Sequence, residues 1–331
     1  TIGIDMSGIG TTLNAHSNTI IVNQTISSST ACTTPITGIK AASASTNVNI
    51  GSLGNANTIT IKQNVSGSGT YGSGEIKYID AGGLVNHGTL NIQYNNLNTT
   101  GSSLQTKGNT YGIYNIGTIP TALTIDNNVL DINRGGAAAT AGDFYGFYIG
   151  SGATSGASNY SISSNSITLN SISSGITCGI YDNDGNVNKI INGNSLNING
   201  SAKTINGMYI DRGTNNIGAS GLGNTLVLSS SAVTPTIYGI NVNTFATAIF
   251  NIKYNTFGSI SATDATTSSP VISVIRINTT SSNSQTADIS NNHIYGVSTG
   301  ASSGSATIRG IDIPVPSGSS TGGVNNIYKN K

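Results

Sequence analysis

The chain has 331 residues, only 8% of them charged, and its formal net charge is +1. It contains no basic cluster, which argues against nucleic acid or an acidic membrane surface as a partner. It also contains no run of about 20 apolar residues, so no membrane-spanning helix is predicted. Hydroxyl and amide side chains must supply the solubility that charges usually give. Such surfaces are typical of secreted and cell-surface polymers, and we therefore expect an extracellular protein.

A short phrase returns along the whole chain: a small residue followed by an apolar, a polar and an apolar residue. The occurrences begin at Gly3, Gly38, Glu75, Gly112, Gly146, Gly179, Gly207, Gly239, Val274 and Gly310. They lie about 34 residues apart on average. A period of this length that fills a chain indicates a repeat architecture. We therefore predict a single solenoid over residues 1–331, with about ten coils.

The repeat unit is predicted to consist of β-strands. The period also fits helical repeats, but Glu75 is the only Glu, and the abundant Ser, Thr and Asn compete with helix hydrogen bonds. Apolar residues alternate with polar ones, as in Leu90-Asn91-Ile92, which indicates half-buried strands. In each coil, the Gly phrase forms one strand and a second strand ends at a polar turn. A third strand follows that turn, and a loop of variable length leads to the next coil.

The polar turn carries an amide two residues before an apolar residue. The predicted amides are Gln24, Gln63, Asn95, Asn127, Asn165, Asn194, Asn255 and Asn292, with Ser231 in the same place in one further coil. Strands of successive coils stack about 4.8 Å apart, so an Asn at each turn would bond to the Asn above and below it. Asn also tolerates the left-handed backbone of such a corner. The six Asn residues are therefore predicted to form an asparagine ladder.

This pattern resembles the asparagine ladder of right-handed parallel β-helix proteins, an architecture shared by pectate lyases, phage tailspikes and many surface adhesins. The resemblance covers the whole chain and implies an all-β, right-handed parallel β-helix with three short strands per coil. It does not imply an activity, because the same solenoid carries both enzymes and inert stalks. The charge-poor coils also look like those of large secreted surface proteins of Gram-negative bacteria, notably Bacteroidota.

Catalytic and metal sites are weakly indicated. The carboxylates are spread at about one per coil, whereas a glycoside hydrolase needs two of them a few ångströms apart. The Asn-Thr-Asp, Asp-Asp and Gly-His-Gly motifs of polygalacturonases are missing. Asp182 and Asp184 are followed by Gly185, a spacing that suits Ca²⁺. The same residues are ordinary turn formers, and we favour that interpretation, with no catalytic residue and no cofactor.

A row of tyrosines is the strongest candidate for a binding surface. The outward position two residues after the repeat Gly is tyrosine in four consecutive coils: Tyr114, Tyr148, Tyr181 and Tyr209. Stacked at the strand spacing, these rings would form an aromatic strip about 15 Å long. Such a strip can pack against a protein chain or accept sugar rings. The simpler interpretation is a cross-strand ladder that stabilises the sheet.

The cysteines do not predict a disulfide within the chain. Cys32 and Cys178 lie about four coils apart, which is too far for a bond. Cys178 takes the place that Tyr111 and Tyr145 occupy in other coils, and it is predicted to be a small buried packing residue.

The predicted function is mechanical and adhesive. We expect a segment of a longer extracellular fibre, stalk or surface adhesin without catalysis, because the repeats begin at Thr1 and run to Tyr328 without polar caps. Partners would be further copies of the chain in an oligomer or filament, or a cell-surface glycan or protein. The alternative is a carbohydrate-active β-helix, a lyase, hydrolase or glycan-binding protein. Clustered carboxylates in one groove would favour the alternative, and dispersed carboxylates would favour the fibre.

Overall fold

The structure is a computed structural model that describes residues 1–8, 10–26, 33–42, 47–65, 73–84, 88–117, 121–135, 142–150, 159–172, 174–184, 188–263, 269–279, 285–300, 305–314 and 324–331. Within these ranges, the regular secondary structure consists of β-strands only, and the strands pair in parallel. The predicted all-β parallel solenoid, with three strands per coil, is confirmed. Cys32 lies outside the described residues.

The strands stack along three sides of the solenoid. The first side contains β1 (Ile2–Met6), β4 (Ile36–Ala41), β7 (Ile76–Asp80), β10 (Thr110–Asn115), β13 (Phe144–Ile149), β16 (Ile176–Asp182), the first part of β19 (Thr204–Ile217), the first part of β21 (Thr236–Lys253), β23 (Val271–Thr279) and β27 (Thr307–Asp312). The second side contains β2 (Thr12–Ala15), β5 (Asn47–Ile50), β8 (Thr89–Gln93), β11 (Ala122–Asp126), β14 (Asn159–Ser163), β17 (Asn188–Asn192), the last parts of β19 and β21, β24 (Gln285–Ser290) and β28 (Val324–Tyr328). The third side contains β3 (Thr19–Ile26), β6 (Thr58–Val65), β9 (Asn96–Asn98), β12 (Val129–Arg134), β15 (Ser166–Ser171), β18 (Ser195–Gly200), β20 (Thr225–Ser230), β22 (Thr256–Ala262), β25 (His293–Tyr295) and β26 (Ser298–Thr299).

The solenoid has about seven turns rather than the ten predicted. In seven successive coils, the strands on all three sides pair with both the preceding and the following coil. The first of these coils contains β4, β5 and β6. The last contains β21, which covers two sides, and β22. Outside this range, pairing in the described residues is partial: β1, β2 and β3 pair on one side, and so do β27 and β28. The sequence phrases overstate the number of turns because they also mark strands of these incompletely paired coils.

One phrase was assigned in the wrong register. Ile39 pairs with Ile79, and Lys40 pairs with Asp80, so the position of Gly38 is taken by Tyr78 and not by Glu75. The Tyr78 side chain is fully buried, and its hydroxyl donates a hydrogen bond to the backbone oxygen of Asn98 at 3.2 Å. The interior thus satisfies the polar end of a large side chain at a position where most other coils have glycine and one has Val274.

The core is a continuous stack of aliphatic side chains inside the three sides. On the second side, for example, Ile50, Ile92, Ile125 and Ile162 lie in one register column, and all are fully buried. Each buried side chain contacts its counterparts one coil above and below, so the burial of apolar area repeats with the coil. In the described part of the chain, no helix has the length and apolar character that crossing a membrane requires.

Candidate functional site

The confirmed asparagine ladder follows the corner between the second and third sides. Each ladder Asn donates its side-chain amide to the side-chain oxygen of the next ladder residue at 2.8–3.0 Å. The members are Asn18, Asn57, Asn95, Asn128, Asn165, Asn194, Asn224, Asn255, Asn292 and Asn330. From Asn57 onward, the same amide also donates to a backbone oxygen at the end of the second side, as Asn165 does to Ile125 at 2.9 Å. The ladder therefore satisfies a buried corner that would otherwise contain unpaired polar groups.

The predicted ladder residue Asn127 is wrong, and its neighbour Asn128 is the true member. The prediction took Val129 as the inward-facing residue, but Val129 is 46% exposed and Leu130 is buried. Asn127 instead has a φ of 54°, in the left-handed region. The residue before the ladder Asn therefore makes the sharp corner here, as Ser164 does with a φ of 56° one coil later.

Three further positions also need correction. In the coil where Ser231 was predicted, the ladder residue is Asn224, which lies two residues before the buried Leu226. Gln24 and Gln63 lie within third-side strands, where Gln63 donates to Gln24 at 2.6 Å apart from the ladder. The other predicted members, Asn95, Asn165, Asn194, Asn255 and Asn292, lie in the ladder.

The tyrosine strip is stacked on the outer face of the first side. The ring centroids of Tyr114 and Tyr148 lie 5.5 Å apart, those of Tyr148 and Tyr181 4.7 Å, and those of Tyr181 and Tyr209 4.8 Å. The rings of the last two pairs are nearly parallel, with interplanar angles of 7° and 9°. The parallel register brings the four residues together, since each pairs directly with its counterpart in the next coil.

A second row lies behind the strip. Tyr111 and Tyr145 stack at 5.4 Å, and Cys178 continues the row; all three are buried. Burial raises the pKa of the Cys178 thiol above its ordinary value, which makes it a poor nucleophile. The prediction of a buried packing cysteine agrees with this position. Burial also raises the pKa of Tyr114 to about 12, with Glu75 adding to the effect.

The stacking determines what the strip presents to solvent. Tyr148 and Tyr181 each have a tyrosine ring on both faces, and Lys77 Nζ lies 3.9 Å from the Tyr114 ring centroid at one end of the strip. The Tyr209 hydroxyl accepts a hydrogen bond from Asn243 at 2.9 Å. A sugar ring that stacks on an aromatic side chain needs a free ring face. The strip offers ring edges and hydroxyls instead, which suits a ladder or a protein contact better than sugar stacking.

The motif with Asp182 and Asp184 folds into the interior and surrounds a lysine. Lys189 Nζ lies 3.0 Å from Asp182 Oδ2, and both side chains are fully buried. The same ammonium donates to the backbone oxygens of Asp184 at 2.6 Å and Asp211 at 2.7 Å. Burial raises the pKa of the Asp182 carboxyl, and the charge of Lys189 opposes the shift.

The calcium candidate, Asp182 and Asp184, lies beside a lysine inside the solenoid. Asp182 and Asp184 are almost fully buried, and the cation beside them is the ammonium of Lys189. Asp211 is also buried, and burial raises its pKa against the opposing charges of Arg212 and Lys189. Among the described residues, no group of three or more His, Cys, Asp or Glu side chains is arranged to hold a metal ion. Gly185, the last residue of the motif, lies outside the described residues.

A shallow cleft on the second side is a separate candidate for ligand binding. It has a volume of about 510 Å³ and is lined by Ile190, Asn192, Asn216, Gly218, Ala219, Ser220, Asn251, Lys253 and Tyr254. The amide of Asn251 donates to Asn216 at 2.8 Å, and Tyr254 is 41% exposed at the edge of the cleft. Sequence reasoning missed this cleft because its residues come from three coils and a projecting turn.

Comparison with protein-family models, with curated proteins and with solved structures finds no match to this chain. The three clustered carboxyls, Asp182, Asp184 and Asp211, are buried and do not line a groove. This placement is neither the open acidic groove expected of a carbohydrate-active enzyme nor the dispersed arrangement expected of a fibre.

Proposed function

We propose that this chain is a structural segment of an extracellular bacterial fibre or surface adhesin and that it performs no catalysis. The observation that carries the proposal is the ladder, which is unbroken from Asn18 to Asn330. These amide hydrogen bonds, which are buried in every rung except the first and the last, resist separation of the coils, because each opened buried rung leaves several polar groups unpaired.

The surface composition supports the extracellular location. Solubility rests on Ser, Thr and Asn, and the few charges give a formal net charge of +1. Such a surface fits the outside of a Gram-negative bacterium. Side-by-side association of copies is supported by aliphatic side chains on the second side, where Ile190 and Ile249 are 47% and 42% exposed. Copies of the chain are thus the partners that we propose first.

Mechanical unfolding tests the proposal. The chain is held at Thr1 and Lys331 and stretched in a single-molecule force experiment. We expect coils to open in discrete steps at high force, and Asn194→Ala to lower the force of the step that involves its coil. The control is Asn197→Ala, an exposed residue in the same coil. Smooth extension at low force, or release of sugar fragments from a panel of polysaccharides by the wild-type protein, would overturn the structural proposal.

The second candidate function is glycan binding in the cleft on the second side. It is favoured by the combination of Tyr254, whose ring is partly exposed, with the amides of Asn216 and Asn251. Glycan-array binding that is lost in Tyr254→Ala and retained in Tyr295→Ala would support it. Equal binding by wild type and Tyr254→Ala would contradict it.

A further inference from the structure

The interior pair of Lys189 and Asp182 has the geometry of a reactive site. Asp182 is the last residue of β16 and Lys189 the second of β17, so the pair spans the corner between the first and second sides. Lys189 lies inside the solenoid, in the register column that continues to Phe250, which is fully buried. The 3.0 Å contact between Nζ and Oδ2 therefore occurs where water has no access.

Two backbone oxygens hold the amine in place. Asp184 and Asp211 accept hydrogen bonds from Nζ at 2.6 and 2.7 Å, which fixes the nitrogen against the Asp182 carboxyl. Fixed proximity of this kind can replace a large part of the activation entropy of a bimolecular reaction. In addition, a charged group in a low-dielectric interior carries a large desolvation free energy, so conversion of the ion pair into neutral groups is favoured there.

A third carboxyl completes the group. The Asp211 side chain is fully buried, and within the described residues neither of its oxygens has a hydrogen-bond donor; its ionic neighbour is Arg212 at 3.4 Å. Burial raises the pKa of the Asp182 carboxyl and the Asp211 charge adds to that rise, whereas the charge of Lys189 opposes the rise in the pKa of Asp211 that burial causes. Because its oxygens have no hydrogen-bond donor among the described residues, the Asp211 carboxylate can accept a proton, with Arg212 as its ionic partner.

We propose that Lys189 and Asp182 condense to form an isopeptide bond, an amide between Nζ and Cγ, which covalently closes this corner of the solenoid. A proton passes from the ammonium to the Asp182 carboxylate, which leaves an amine and a carboxylic acid. The amine lone pair attacks Cγ and forms the N–C bond. Asp211 takes a proton from the nitrogen and delivers it to the departing hydroxyl, the C–O bond breaks, and water leaves. The net change is loss of one water molecule without oxidation or reduction.

The chain contains an internal comparison for this proposal. Lys253 Nζ lies 2.6 Å from Asp288 Oδ2, which is closer than the interior pair, but these side chains are 29% and 21% exposed. Solvent stabilises both charges of this second pair, so the amine stays protonated. We expect this pair to remain ionic.

Mass spectrometry of the denatured full chain tests the proposal. We expect an intact mass lower than the sequence mass by one water, together with resistance of Lys189 to trypsin, while Lys203 and Lys253 are cleaved normally. Trypsin resistance is essential, because cyclisation at Asp184-Gly185 to a succinimide also loses one water but leaves Lys189 cleavable. An intact mass equal to the sequence mass, or normal cleavage at Lys189, would overturn the proposal.

Two variants test which side-chain groups take part in the condensation. Asp182→Asn should lose ammonia instead of water, since the same amide forms from a carboxamide. Asp211→Asn should keep the full sequence mass and a cleavable Lys189. If Asp211→Asn still loses water and protects Lys189, the proton-transfer part assigned to Asp211 is wrong. The mass of the wild-type chain does not depend on whether a variant folds, so this measurement alone decides whether the bond exists.

Discussion

The backbone oxygen of Gly179 lies 2.5 Å from the position that a Cβ on Gly146 would occupy. The two glycines occupy the same place in neighbouring coils, and Gly179 has the same relationship to Gly207 at 2.6 Å. In these coils the repeat glycine is therefore favoured by the close approach of stacked backbones and not by an unusual φ angle, whereas Tyr78 and Val274 take the same place in two other coils. Its recurrence, which first revealed the repeat, has a steric cause.

This relationship predicts the effect of Gly146→Ala. The added methyl group would overlap a backbone oxygen that stacking holds in place, so the coil must shift, and we expect a loss of about 2–4 kcal/mol in the free energy of unfolding. Gly10→Ala is the control, because its Cβ would lie 3.8 Å from the nearest heavy atom. Denaturant titration of both variants checks the prediction, and equal stabilities would contradict it.

The ladder predicts a large effect of Asn194→Ala. Truncation removes the acceptor of the Asn165 backbone N–H and side-chain amide, and it removes the side-chain donor to the Ile162 backbone oxygen, all in a buried corner. Asn224 Oδ1 loses one of its two donors and keeps the backbone N–H of residue 194. The loss of these buried hydrogen bonds should cost roughly 3–5 kcal/mol. Asn197→Ala, on the exposed face of the same strand, should change stability by less than about 0.5 kcal/mol. Calorimetry of the two variants is the measurement, and a small effect of Asn194→Ala would mean that water can satisfy the corner.

The tyrosine strip is predicted to stabilise the sheet. Replacing Tyr148 and Tyr181 together with Ser removes three stacked contacts, each worth about 0.5–1.5 kcal/mol beyond buried area. We expect a lower melting temperature, with assembly and glycan binding unchanged. Loss of assembly at a temperature where the variant is still folded would show that the strip is a protein contact surface instead.

The same tyrosines predict a loss of stability in alkali. An unfolded tyrosine ionises near pH 10, whereas burial raises the pKa of Tyr114 to about 12 and that of Tyr148 in the same direction. The stabilising difference is present below pH 10 and is lost as the pH rises toward 12, because the unfolded chain ionises first.

Denaturant midpoints measured between about pH 9 and 12 check this expectation. Tyr148→Phe should make the decline less steep, because one shifted group is removed. Tyr295→Phe serves as the control, since Tyr295 is 51% exposed. A flat stability profile over this range would contradict the partial burial of the strip tyrosines.

The repeat architecture was predictable because it produces periodic features in the sequence: the regular spacing of the repeat glycines, the alternation of apolar and polar residues within strands, and the recurring amide at one turn. The errors arose where the local pattern was ambiguous. Asn127 and Asn128 are adjacent amides, and only the burial of Leu130 shows which one faces inward. Tyr78 fills a glycine position with a large side chain, which no pattern of small residues can reveal.

The polar groups inside the solenoid were also beyond prediction. Arg134 is 2% exposed and donates to four backbone oxygens, among them Gly142 at 2.7 Å and Thr106 at 3.1 Å. Lys189 is fully buried beside Asp182. Lys and Arg are rarely buried, so a sequence pattern assigns them to the surface. Their burial depends on partners from neighbouring coils, and those are known only once the register is fixed.

Near-atomic-resolution electron microscopy of the native, full-length protein on intact cells tests the central claim most directly. The account predicts rods outside the outer membrane, with neighbouring copies packed against the coils and with the asparagine ladder continuous along each rod. Isolated single rods with an open acidic groove, or a location inside the cell, would contradict it.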